Sequence, residues 1–158
     1  MDMRTPLGRQ MDARADHHGS VRVGTLLPLA DVLSGLGVEP TQLLAECGVD
    51  PSVFDDPDNR ISIALHNRLV ALAGTRANCS HIGLLVGQRD NLDSFGLAGL
   101  LVRYSPDVAS ALRNFVRFLP THVRGARARL TVDGNATTLS WELYQPGVEA
   151  VDQVVAAP

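Results

Sequence analysis

The chain has 158 residues, 45% of them hydrophobic and 20% charged, with a formal net charge of -3. That is enough apolar material for one packed domain and excludes wholesale disorder, while the acidic balance argues against a module that grips nucleic acid by itself. Every apolar run is broken by Pro, Gly or charge well short of the roughly 20 residues of a bilayer span, so neither a transmembrane helix nor a membrane partner is expected.

Residues 1–20 lack periodicity and read as a disordered leader. They have no apolar central run, so they are not a secretory signal, and Asp2, Asp12 and Asp16 among the arginines make a poor transit peptide. The expected location is the cytoplasm. His17 and His18 sit in this leader, where adjacent histidines are ordinarily solvated rather than metal-bound. Order is expected from Val21. Leu26, Leu29, Leu33 and Leu36 recur at helical spacing, with Pro28 in the first turn and Gly37 as a left-handed stop. Pro40 opens a second short helix, whose apolar side is Leu43, Leu44 and Cys47 and whose end is Gly48. Asp50 as N-cap and Pro51 at the first helical position start a third turn. These helices superficially look like a helix-turn-helix. Yet no Arg occurs between Gly24 and Asn59, while Asp31, Glu39, Glu46, Asp50, Asp55, Asp56 and Asp58 do, and phosphates would be repelled.

DDPDNRIS reads as a polar loop whose Ser62 caps a helix over ALHNRLVALA. Leu65, Leu69 and Leu72 form its buried stripe and Gly74 its expected stop. TRANCS reads as a connection. Periodicity admits either a helix or a buried strand for HIGLLVGQR, and Ser80 as an N-cap favours the helix. Leu92 to Tyr104 is compatible with a buried helix, in which Gly96 and Gly99 point to close packing. The clearest helix is SPDVASALRNFVRFLP. Ser105 is its expected N-cap, Pro106 its first residue and Pro120 its stop, with Val108, Ala111, Leu112, Phe115, Val116 and Leu119 on one face.

After Pro120 the period changes to two. Ala126, Ala128, Leu130 and Val132 alternate with polar residues, as do Leu139, Trp141 and Leu143. A hairpin with its tip at Gly134–Asn135 sets Leu130 opposite Leu139, Ala128 opposite Trp141 and Ala126 opposite Leu143. The same register pairs Arg127 with Glu142 and Thr131 with Thr138, so both faces agree, and a one-residue slip would destroy that agreement. Pro146 then introduces a further helix with Val148, Val151, Val154 and Val155 inward; it runs to the end of the chain with no stop signal before Pro158. The expected fold class is α+β, with N-terminal helices packed on a C-terminal antiparallel hairpin.

Catalytic and cofactor motifs are lacking. No H-E-x-x-H, metal-spaced Cys or His set, G-x-S-x-G or phosphate loop occurs, so no enzyme activity, metal or cofactor is expected. His66, His81 and His122 read as helix-surface or partly buried residues, and Cys47 and Cys79 as small buried apolar side chains.

The ordered set Gly48-Val49-Asp50-Pro51, Asp56-Pro57 with Arg60-Ile61, Ile82-Gly83-Leu84 with Gly87-Gln88, and Phe95-Gly96-Leu97 with Ser105-Pro106, followed by the helix to Leu119, resembles a known family. It is similar to the arabinose-binding-like N-terminal effector domain of AraC/XylS-type bacterial transcription regulators over about residues 24–158. The resemblance implies a domain that senses a small molecule or mediates dimerisation, expected here as residues 21–158. It also implies a homodimer, and promoter DNA bound only through a C-terminal helix-turn-helix pair that these residues lack. The alternative is a stand-alone interaction module that pairs with full-length relatives. The residues themselves place a small effector between the helices and the hairpin, with Arg103, Tyr104, His122 and Trp141 as candidate liners.

Overall fold

A computed structural model describes residues 19–143. Residues 1–18, with His17 and His18, and residues 144–158, with the helix expected after Pro146, lie outside the described residues. The observed class is α+β, with two small antiparallel sheets.

The first strand, β1 (Ser20–Arg22), leads through a 3-10 turn at Val23–Leu26 into α1 (Leu29–Gly35) and α2 (Pro40–Glu46). Both helices end as expected. Gly37 and Gly48 take φ of 77° and 68°, and Val38 and Val49 donate their N–H groups back to the carbonyls of Leu33 and Leu44. A left-handed residue followed by this long return bond closes off the last carbonyls of a helix, and glycine adopts it without a Cβ clash. Asp50 accepts from the Ser52 N–H at 3.0 Å and starts the 3-10 turn Pro51–Phe54.

The polar loop expected before Ser62 contains a strand instead. β2 (Arg60–Ser62) pairs with β1, and β1 pairs on its other edge with β3 (Val123–Arg124), giving the order β2-β1-β3. Strands of two or three residues carry too little alternation to be recognised. Burial stabilises them: Val21, Ile61 and Val123 all lie in the core. Arg60 ties the sheet together, with Nη2 and Nη1 donating at 2.9 Å to the carbonyls of Ser20 and Thr121.

The next helix, α3 (Ile63–Arg76), is capped by Ser62, whose Oγ accepts from Leu65 N–H at 3.1 Å. It does not stop at Gly74. The left-handed residue is Asn78, at φ 47°, and Cys79 N–H returns to the Gly74 carbonyl at 2.9 Å. Asn is the next-best residue to Gly for that conformation. HIGLLVGQR is helical, as α4 (Ile82–Arg89), but His81 rather than Ser80 precedes it and no side chain caps it.

Leu92 to Tyr104 is broken. Leu92–Phe95 is a 3-10 turn, Gly96 turns the chain at φ 57°, and α5 (Leu97–Arg103) follows. Both glycines are close-packed: a Cβ on Gly96 would strike the Arg22 guanidinium, and one on Gly99 would strike the Leu92 carbonyl. The long helix is α6 (Val108–His122). Its N-cap is Asp107, which accepts from Ser110 N–H at 2.7 Å, and not Ser105. Ser105 Oγ instead donates to the Leu101 carbonyl at 2.7 Å and accepts from Asn114 Nδ2 at 3.0 Å. Pro120 does not stop α6. Two further residues run to His122, held by Arg60 on the Thr121 carbonyl and by Val123 N–H on the Leu119 carbonyl.

Gly125, at φ 101°, separates β3 from the hairpin of β4 (Ala126–Asp133) and β5 (Ala136–Leu143). The hairpin register is the expected one: Leu130 opposes Leu139, Ala128 Trp141, Ala126 Leu143, Arg127 Glu142 and Thr131 Thr138. Gly134, at φ 56°, occupies the first central position of the two-residue turn, where only glycine is at ease. The core joins both layers, from Leu33, Leu43, Leu69 and Ile82 in the helices to Leu119, Ala126 and Ala128 beneath the hairpin. Cys47 and Cys79 are buried free thiols within it.

Candidate functional site

A cavity of about 610 Å³ opens between α3, α4 and α6 and the hairpin. Its size lies in the range of small-molecule pockets, roughly 300–1,000 Å³. Val21 and Val123 of the three-stranded sheet, Ile63 and Val70 of α3, and Leu112 and Phe115 of α6 contribute to its walls. Val108, largely exposed, and Leu139, partly exposed, also contribute to the lining.

One wall is an aromatic arc. Trp141 lies 6.5 Å from Phe115 between ring centroids, Phe115 packs edge-on against Phe95 at 5.7 Å, and Phe95 lies 4.8 Å from the His122 ring. All four side chains line the cavity. Three separate elements supply them: β5, α6 and the 3-10 turn before Gly96. That glycine's left-handed turn presents Phe95 to α6.

The polar lining side chains are Thr25, His66, Asn67 and His122, and among the described residues no Asp, Glu, Arg or Lys joins them. His66 Nδ1 faces Asn67 Oδ1 at 3.2 Å, an arrangement that makes the imidazole the donor. Asn67 Nδ2 and His122 Nδ1 are buried without a hydrogen-bond partner among the described residues. Burial in this apolar setting lowers the pKa of His66. His122 is pushed down to about 3, first by burial and then by the positive charges of Arg22 and Arg60, with His66 also opposing it. Both imidazoles are therefore neutral at pH 7.

Arg22 lies behind this wall and is itself buried. It is anchored by an ion pair with Asp58, and Nη1 reaches the Ser94 carbonyl at 3.4 Å. The guanidinium thus fixes the Ser94–Gly96 segment from which Phe95 projects.

The four residues singled out from sequence fall in two places. His122 and Trp141 line the cavity at opposite ends of the aromatic arc. Arg103 and Tyr104 lie outside it. Arg103 Nη1 pairs with Asp93 Oδ1 at 2.8 Å on the surface, and Tyr104 is 77% exposed. Asn67 was missed, although a signal was present. It falls at helical spacing between Ile63 and Val70, a polar side chain set in the apolar stripe of α3. Phe95 and Phe115 read only as core. The described residues hold no group of three His, Cys, Asp or Glu able to bind a metal, and no helix long and apolar enough to cross a membrane.

Comparison with known proteins matches residues 37–157 to the family model described as the arabinose-binding domain of AraC transcription regulator, N-terminal. The chain is also similar to an ornithine utilization regulator of Pseudomonas aeruginosa, 29% identical over 90 residues. That alignment covers 57% of this chain and 26% of the regulator, so the matched residues span about a quarter of that relative's length.

Proposed function

Since the chain belongs to the family of arabinose-binding N-terminal domains of AraC transcription regulators, we propose that its cavity is the effector site of a ligand-sensing regulatory domain. The observation that carries this reading is the cavity itself. It sits where the helical layer meets the hairpin and holds buried, unpaired polar atoms among apolar walls. A ligand seated there touches α3, α6 and β5 together, so its binding energy stiffens the joint between the two layers. In a full-length regulator that change would alter dimerisation or the binding of promoter DNA through a separate basic domain. The chain acts in the cytoplasm in this reading, and it is not an enzyme. Among the described residues its walls offer neutral histidines with no carboxylate beside them.

Trp141 is the chain's only tryptophan and lies on the cavity wall, so its emission reports occupancy. Screening sugars, amino acids, fatty acids and aromatic acids by Trp141 emission and thermal shift is the test. A true ligand at a hundredfold excess over its Kd adds about 2.7 kcal/mol of stability. A ligand that raises Tm while leaving α6 and the hairpin unperturbed by NMR would move the site elsewhere.

The alternative, an interaction module pairing with full-length relatives, is favoured by one observation. Leu97 and Leu100 of α5 and Tyr104 at its C-cap follow one another at helical spacing, and all three are exposed, at 52%, 47% and 77%. Sedimentation over a concentration series, repeated with a Leu97→Glu, Leu100→Glu double variant, separates the readings. A monomer at all concentrations removes the pairing role and leaves the sensing role intact.

A further inference from the structure

The chemistry of the cavity narrows the ligand class, an inference that rests on the sensing reading above. Asn67 is 3% exposed and His122 is 4% exposed; both side chains line the cavity, and each carries a nitrogen with no hydrogen-bond partner among the described residues. Buried polar atoms are ordinarily satisfied, so an unpaired donor on the wall of a cavity marks where a ligand atom is expected. The Asn67 oxygen already accepts from His66, which leaves its Nδ2 group as a donor. We propose that the cavity binds an uncharged, largely apolar molecule carrying one carbonyl oxygen, such as a ketone, lactone, ester or amide. Asn67 Nδ2–H donates to that oxygen. Phe95, Phe115 and Trp141 pack on the apolar body. His122 adds a second donor to the oxygen in one neutral tautomer, and in the other accepts from the N–H of an amide.

The alternatives fail on partners. An amino acid or diamine needs a carboxylate for each ammonium group, and no Asp or Glu among the described residues lines the cavity. A pentose carries a hydroxyl on nearly every carbon, whereas among the described residues the wall offers four polar side chains besides the Trp141 indole, two of them already bonded to each other. A carboxylate would be desolvated without a guanidinium beside it. Arg22 is engaged by Asp58 and the Ser94 carbonyl, Arg60 by Ser20 and the Thr121 carbonyl, and neither lines the cavity. Sensing of L-arabinose or L-ornithine, suggested by the names of the family and of the relative, does not fit these walls.

The full chain is titrated with δ-decalactone, nonan-2-one, decanoate, L-arabinose and L-ornithine, read by Trp141 emission and by thermal shift. The lactone and the ketone are expected to bind, with decanoate weaker and the two polar compounds silent. Asn67→Leu, checked for folding by its own melt, is expected to weaken the lactone roughly three- to tenfold, the worth of one hydrogen bond. Tighter binding of decanoate than of the lactone overturns the uncharged class. A response to L-arabinose or L-ornithine alone overturns the inference and leaves the sensing reading standing. Silence toward both carbonyl probes also overturns the class, and the sensing reading then depends on the broader screen. Should Asn67→Leu fail to fold, the order of affinities in the unaltered chain decides by itself.

Discussion

The two sheets differ less in composition than in the distance along the chain between their strands. The hairpin joins β4 to β5 through two residues, and its tip is exposed from Thr131 to Leu139. The three-stranded sheet draws together residues 20–22, 60–62 and 123–124, and its central residues Val21, Ile61 and Val123 are buried. One sheet is local and partly wet, held by its turn and its cross-strand pairs. The other is assembled by tertiary packing, and it closes the floor of the cavity. Stability is therefore expected to concentrate in the sheet with the fewer residues.

Truncating an apolar side chain in each sheet gives the largest contrast. Ile61→Ala in β2 is expected to cost about 2–5 kcal/mol, the usual range for a core isoleucine. Leu139→Ala in β5, where the side chain is 43% exposed, is expected to cost less than about 1 kcal/mol. Urea denaturation of both variants at pH 7 measures the difference, and equal losses would break the comparison.

Acid attacks the joint beside the buried sheet. His122 ends α6 next to β3, and its pKa is about 3 in the folded chain against 6.5 unfolded. Between those values the unfolded chain binds more protons, so stability falls as pH drops below about 6.5 and the loss is complete near pH 3. At pH 5 the loss from His122 is about 2 kcal/mol. His66, also lowered by burial, acts in the same direction. Asp90, raised by burial, works the opposite way at lower pH. Urea melts at pH 7 and pH 5 test this, and His122→Phe should flatten the dependence.

A backbone change at the hairpin tip is smaller again. Gly134 has open space around its missing Cβ, so Gly134→Ala costs only the left-handed conformation, about 1–2 kcal/mol. Amide exchange should rise in β4 and β5 while β1 and β2 keep their protection. The smallest effect is expected for Val132→Ser, since that side chain is 67% exposed; a thermal melt should show a change within about 0.5 kcal/mol.

The same contrast explains which errors the amino-acid sequence invites. Cap and stop residues compete locally, and packing decides among them. Ser105 and Asp107 are both good N-caps, but Ser105 is taken by the Leu101 carbonyl and Asn114, which leaves Asp107 to start α6. Gly74 is a plausible stop, yet it is buried within α3, and Asn78 takes the left-handed turn. Pro120 lacks an N–H, yet α6 runs on through Thr121 to His122, where Arg60, sixty residues away, satisfies the Thr121 carbonyl. Of the candidate site, His122 and Trp141 were legible as chemistry, while Phe95 and Asn67 became meaningful only when the fold set them on one wall.

By itself the sequence determined whatever depends on neighbours a few residues apart. Side-chain periods of 3.6 and 2, left-handed glycines at 37, 48 and 134, and agreement of both hairpin faces in one register are all local, and all are present in the structure. Only the tertiary structure decided the β2-β1-β3 sheet, the buried Arg22 and the aromatic arc that ends on His122. Strands of two or three residues carry no period, and a buried guanidinium or an unpaired Asn67 amide acquires its meaning from what packs against it. Those partners lie tens of residues away, where the burial of a common core, and no local preference, brings them together.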